Sequence, residues 1–233
     1  MGPGLRLPPK RETTFVAKPK KRRDEVFLNI PYDNKFEKLF IAYIAGISAF
    51  GLVPHATLEI PDSSRRLEKI LGLARNSRYS VHDLSRVQLD PKKPRVPRFN
   101  MPFELGLCVA YASQNKAQKP NWFVFEAEAN RIDKSLSDLK GTDPRIHGGT
   151  VRGALSGLCN IFRRPGRQPS VPPMMQIYRN LRRKQPAILK EAGTEDLFTK
   201  RVFVDICVAA SAEIGPTSLS TFGNSPVDQK PES

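Results

Sequence analysis

Residues 25–60 read EVFLNIPYDNKFEKLFIAYIAGISAFGLVPHATLEI, and the periods within that stretch decide the fold. Glu25–Ile30 is a short apolar, β-prone run stopped by Pro31, which has no N–H to give to a sheet ladder. Beyond it Phe36, Leu39, Phe40, Tyr43, Ile44, Ile47 and Phe50 recur at helical spacing and predict a helix over Lys35–Phe50 with a wide buried stripe. Asn34 with Glu37 three residues on predicts a capping box at its start, and Gly51 sits where a left-handed residue would end it. Leu52–Ile60 predicts a second strand. Strand, helix and strand joined by short connections form the repeating unit of a parallel sheet.

The alternation continues outward. SSRRLEKILGLARNSR predicts a second helix with Leu67, Ile70, Leu71 and Ala74 on one face, and Tyr79–Leu84 a third strand. LDPKKPRVPR reads as a basic, Pro-rich loop. NMPFELGLCVAYASQ predicts a third helix capped by Asn100, with Pro102 and Glu104 in its first turn, and Asn121–Glu126 a fourth strand. Ile132–Leu139 and Gly149–Phe162 read as helical, with a short extended piece near Arg145–His147. The expected fold class is α/β: an open, doubly wound parallel sheet of four to five strands with helices on both faces. Residues 163–173 read as a basic Pro-rich linker, 174–215 as a small C-terminal helical unit, and 216–233 and 1–24 as a disordered tail and arm flanking the 25–162 domain.

Charge is concentrated at two places. Of a formal net charge of +15, the 1–24 arm carries +6 and the acid-free segment 163–184 carries +7, so the remaining chain is nearly neutral. Such segments predict loose electrostatic nucleic-acid binding through 1–24 and 163–184; with only Phe15 and Tyr178 as aromatics there, they lack a base-stacking platform. Leu39–Leu58 holds no charged residue, yet Gly51, Pro54, His55 and Thr57 interrupt it, so no membrane association is expected. The 1–24 arm lacks the apolar core of a secretory signal. Three widely spaced cysteines, Cys108, Cys159 and Cys207, fit no disulfide framework and no zinc pattern, and predict a cytoplasmic protein without a metal.

In an open parallel sheet, ligands bind beyond the carboxyl ends of the strands. That rule selects Asn29, Tyr32 and Asp33 after strand 1, Glu59, Asp62, Arg65 and Arg66 after strand 2, and His82, Asp83, Ser85 and Arg86 after strand 3. Asn100 and Glu104 open the next helix on the same edge. Glu104 is an acid between Phe103 and Leu105 in an apolar segment. A helix N-terminus would favour its ionised form, which suits a nucleophile or a stabiliser of a cationic sugar. Its plain alternative is a dipole-complementing acid. Asp83 could hold a ribose hydroxyl or a base, or simply pair with Arg86. There is no G-x-G-x-x-G, Walker A or G-x-S-x-G sequence, which argues against a Rossmann dinucleotide site, a P-loop NTPase and an α/β-hydrolase.

EVFLNIPYD, RRLEKILGLARNSRYSVHDLSR and RFNMPFELGLCVAY resemble a bacterial family related to nucleoside 2-deoxyribosyltransferases and TIR domains, over about Glu25–Phe162. The resemblance implies a small flavodoxin-like sheet. It also implies that Glu104, in Phe103-Glu104-Leu105-Gly106, is the nucleophile or supports oxocarbenium formation when an N-glycosidic bond breaks. Asp83 matches the acid that helps hold ribose or base. Asn29, Tyr32, Asp33 and Asn100 would line the pocket, and Arg66 and Arg86 would meet phosphate. Lys92, Lys93, Arg95 and Arg98 in the following loop depart from the family's small polar turn and favour a phosphorylated nucleotide or NAD over a free nucleoside. The resulting expectation is an N-glycosidase, hydrolase or transferase-like, acting on a nucleoside, nucleotide or NAD as substrate without a cofactor, in bacterial stress or antiphage defence. A nucleotide sensor that does not cleave, and a nucleic-acid-associated protein, are the alternatives. Self-association into a homo-oligomer is left open by the C-terminal helices.

Overall fold

Strand β1, Arg23–Asn29, pairs in parallel with β2, Val53–Ala56, on one side and with β3, Ser77–Asp83, on the other. β4, Asn121–Glu126, follows β3, and the two-residue β5, Arg145–Ile146, closes the row. The sheet is five-stranded and all parallel, in the order β2-β1-β3-β4-β5, which is the flavodoxin-like arrangement. This computed structural model describes residues 23–60, 65–87, 93, 95–114, 121–164 and 168–214. Most of the expected basic arm, Asp62, Lys92, part of the 163–173 linker and the expected tail lie outside the described residues.

Strand alternation divides the core in two. Val26 and Leu28 of β1, Tyr79 and Val81 of β3 and Phe125 of β4 face α1, Glu37–Ala49. Phe27 faces the opposite way, towards α2, Arg66–Asn76, and Cys108 of α3, Asn100–Gln114. α1 was expected to bury one stripe. Instead it is buried all round from Leu39 to Ala49. The sheet covers one side of α1, and α5, Val151–Ile161, α6, Val171–Ala192, and α7, Lys200–Ala212, cover the rest. Met174, Leu181, Val202, Phe203 and Ile206 join the α1 cluster, so the C-terminal helices share the sheet's core. Each large apolar side chain taken fully out of water there stabilises the fold by about 1.5–3 kcal/mol. α5 lies so close to α1 that a Cβ at Gly46 would stand 2.4 Å from Leu158 Cδ1. Among the described residues no helix is long and apolar enough to cross a membrane.

Several boundaries differ from expectation for local reasons. The capping box of Asn34 and Glu37 does not form: Phe36 holds the N-cap position with no side-chain cap, and Asn34 is exposed. Asp33 organises this turn instead, with its carbonyl accepting from Phe36 N at 2.8 Å and its Oδ1 from Lys35 N at 3.0 Å. The helix does end on Phe50 with Gly51 at φ 72°. β2 stops at Ala56 because Glu59 Oε1 accepts from Ala56 N at 2.9 Å and folds Thr57–Glu59 into a 3-10 turn. The helical run expected over 132–139 breaks into α4, Arg131–Ser135, and a 3-10 turn at Ser137–Leu139.

Segment 163–184 is less free a cationic surface than its sequence implies. Arg182 pairs with Glu37, which also accepts from Gln185 at 3.0 Å, and Lys184 Nζ lies 2.6 Å from Glu213 Oε1.

Candidate functional site

With β2 on one side of β1 and β3 on the other, the chain changes direction between β1 and β3, the edge at which ligands bind in open parallel sheets. Register places Asn29 opposite His82 and Phe125 opposite Asp83, so the expected residues of strands 1 and 3 do reach this edge. The sheet then separates them by parity.

On the α2/α3 face, Asn29 Nδ2 donates to Met101 O at 2.8 Å and to His82 Nδ1 at 2.9 Å. That fixes the proton of His82 on Nε2, 2.9 Å from Ser80 Oγ. Burial pushes the His82 imidazole down to about 3, so it is neutral and holds strand β3 to β1 and α3. Glu104 lies on the buried side of α3 with 5% of its surface exposed. It is the fifth residue of the helix, one residue further in than expected and just past the first turn, because α3 already begins at Asn100. The free N–H groups of the first turn are therefore not beside its backbone, and burial decides its charge. Desolvation raises the Glu104 carboxyl to about 7, against the opposing pull of the Arg66 guanidinium. No described residue gives Glu104 a hydrogen bond. The same group raises the Tyr32 phenol further above its ordinary value, beyond the dominant effect of burial, so Tyr32, Arg66 and Glu104 share one electrostatic environment.

Tyr32 Oη and Thr57 Oγ1 are 3.1 Å apart, and the Tyr32 ring packs on Phe40 and Phe198. Asp33 Oδ2 lies 3.3 Å from Arg86 Nε and 3.4 Å from Arg98 Nη1, so one carboxylate ties together the loops that follow β1 and β3 and the approach to α3. Arg66 and Asn100 are exposed, at the starts of α2 and α3.

On the α1 face the side chains are closed in. Asp83 is fully buried and accepts from Tyr43 Oη at 2.6 Å, Ser85 N at 2.9 Å and Ser85 Oγ at 2.5 Å. His147 Nε2 stands 3.1 Å from Asp83 Oδ2 without an aligned hydrogen bond. His147 Nδ1 accepts from Gly149 N at 3.0 Å, which leaves its proton on the Asp83 side. Next to it, the Glu126 carboxyl is raised to about 7, first by burial and further by Asp83, with Arg131 and His147 opposing. Arg131 also donates to Ser85 O at 2.7 Å and Val87 O at 3.0 Å, pinning the loop after β3.

Asp83 and Glu104 thus occupy one edge but project on opposite faces, and Asp83 has its oxygens engaged within the fold. Tyr43, Glu126, Arg131 and His147 are the residues that sequence reasoning missed around Asp83. Glu126 was within reach of the strand-end rule, since NWFVFE ends on it. His55 Nδ1 lies 3.1 Å from Glu59 Oε1. In comparisons with known proteins, no family model, curated protein or solved structure matches the chain.

Proposed function

We propose that the chain cleaves the C–N glycosidic bond of a nucleoside, nucleotide or NAD, with Glu104 as the acting carboxyl group. The observation that carries this reading is a carboxyl group at the β1/β3 switch point that is buried, raised to about 7 and unpartnered among the described residues. Burying a carboxyl without a partner costs stability, and such groups cluster at working sites.

The chemistry follows from where charge develops. As the C1′–N bond breaks, its electron pair leaves with the base and positive charge builds on C1′ and the ring oxygen. An ionised Glu104 in its buried, low-dielectric surroundings stabilises that charge or bonds to C1′. Water then adds at C1′, breaking the C1′–O bond to Glu104 where that bond has formed, and gives up a proton to the departed base or to solvent, which yields the free sugar; an acceptor base in its place gives transfer. Arg66 is the cation placed to meet a phosphate of the substrate. Asp83 takes a different part from the one its sequence position suggests: it holds Tyr43, Ser85 and His147, and so positions the loop after β3.

A sensor that binds a nucleotide without cleaving it is the second reading, favoured by the internal commitments of Asp83 and Asn29. Base release from a panel of nucleosides, nucleotides and NAD separates the two. Turnover by the wild-type protein that Glu104→Gln abolishes supports the enzyme; binding without release supports the sensor.

A further inference from the structure

Glu126 ends β4 at the same sheet edge as Asp83, and the proposed reaction does not use it. It is 1% exposed, and its Oε2 has no hydrogen-bond partner among the described residues. The charged or titratable groups that act on it come from every element packed there: Asp83 at the end of β3, Tyr43 on α1, His147 after β5 and Arg131 at the start of α4. Two carboxyl groups buried together favour keeping a proton on one of them. Asp83 accepts from Tyr43 and Ser85, which support its charge, so the proton belongs on Glu126. Arg131 links that carboxyl to the loop after β3. Its Nη1 donates to Ser85 O at 2.7 Å and its Nη2 to Val87 O at 3.0 Å, while Nη1 stands 3.8 Å from Glu126 Oε2, beyond hydrogen-bond reach. The same loop carries Arg86, whose Nε lies 3.3 Å from Asp33 Oδ2. The guanidinium is thus engaged with two neutral carbonyls, next to a carboxyl group that would be its stronger partner once ionised.

We propose that Glu126 is a proton-operated latch on the loop after β3: neutral, it leaves Arg131 on the Ser85 and Val87 carbonyls; ionised, it draws the guanidinium off them and releases the loop. A buried carboxylate without a donor is costly. The held arrangement therefore binds the proton more tightly than the released one, in which the carboxylate has Arg131 or water as its partner. Linkage fixes the sign. The loop is held while Glu126 is protonated, and it is released as pH rises from the ordinary carboxylate value of about 4.3 to about 7, the raised value in the held arrangement. Below that window both arrangements are protonated, and above it both are ionised, so the effect levels at each end. The inference goes beyond the Glu104 reading and does not depend on it, since Glu104 sits on α3, across the sheet from Tyr43 and Asp83.

The test is amide hydrogen exchange in the full-length protein over a pH series, corrected for the intrinsic pH dependence of exchange. The Ser85 and Val87 amides, which donate to Asp83 Oδ1 and Leu84 O, report the loop, and the Phe27 and Leu28 amides of β1 report global opening. The expected result is a loop opening constant that rises tenfold or more between pH 5 and pH 7, exceeds any change in β1, and levels above pH 7. In Glu126→Gln, which stands for the neutral form, the loop should open to the same extent at every pH, whereas Glu104→Gln should keep the wild-type rise. If Glu126→Gln does not fold, the carboxyl carbon shift of Glu126 in the wild type takes its place: a titration midpoint where the loop response levels supports the latch, and a midpoint elsewhere rejects it. Loop opening that ignores pH, that rises as much in Glu126→Gln, that only follows β1, or that loses its pH dependence in Glu104→Gln would each overturn the inference.

Discussion

Tyr43, midway along α1, gives its hydroxyl to Asp83 Oδ2 at 2.6 Å, on the face of the sheet opposite α3. The contact decides what each carboxylate at the sheet edge can do. Asp83 is bound to the closed α1 side, whereas Glu104 is left on the α3 side without a hydrogen-bond donor among the described residues.

Asp83→Asn is therefore expected to act on stability first. It removes the charge facing His147 and puts an amide N–H₂ where Tyr43 Oη or Ser85 donates. Leaving buried hydrogen-bonding groups with a mismatched partner in this way costs about 1–3 kcal/mol. Chemical denaturation should show a lower midpoint, with an unchanged slope. A variant as stable as the wild type would mean that the network carries no weight.

The pH dependence follows from the raised carboxyls. Glu104 and Glu126 both have folded values of about 7, above those of an unfolded chain, so the native state holds their protons longer. The stabilisation this gives is complete below about pH 4 and is lost as pH rises through 7. Tm should fall between pH 5 and pH 8, and Glu104→Gln should flatten part of that slope. Turnover should run the other way, rising through about 7 as Glu104 ionises. Thermal melts and rates over the same pH series check both signs; Tm rising with pH over this window would reject the assignment.

Gly153 supports the buried cluster by its lack of a side chain. A Cβ there would stand 2.2 Å from the carbonyl oxygen of His147, a backbone atom that must shift if anything is added. Gly153→Ala should destabilise the protein by about 1–3 kcal/mol and displace His147 from Asp83. A conservative control is Ser156→Ala, on an exposed position of the same helix. Nitrogen chemical shifts of the His147 ring report the displacement directly, and an unshifted ring in Gly153→Ala would show that the turn yields without consequence.

Much of this was legible in the residues. Period changes along 25–126 separated strands from helices, and the strand-end rule brought Asn29, Asp83 and Glu104 to one edge. What could not be read was the side of the sheet. With the order β2-β1-β3-β4-β5, right-handed crossovers put α1 on the face opposite α2 and α3, so Asp83 and Glu104 part. That order is a property of the assembled sheet and has no signature in a single strand. His147 was illegible for a related reason: it follows a two-residue strand, too short for alternation to declare which way its neighbours point. Tyr43 was read as core, which it is, but an apolar stripe does not reveal where a buried hydroxyl finds its acceptor.

The most direct test of the account is free base released from nucleosides, nucleotides and NAD by wild-type protein and by Glu104→Gln, separated chromatographically. The account predicts release by the wild type from at least one phosphorylated substrate, and a loss of about 10²-fold or more in Glu104→Gln with binding retained. A wild-type protein that binds nucleotide and releases no base, or a Glu104→Gln variant that turns over at the wild-type rate, would contradict it.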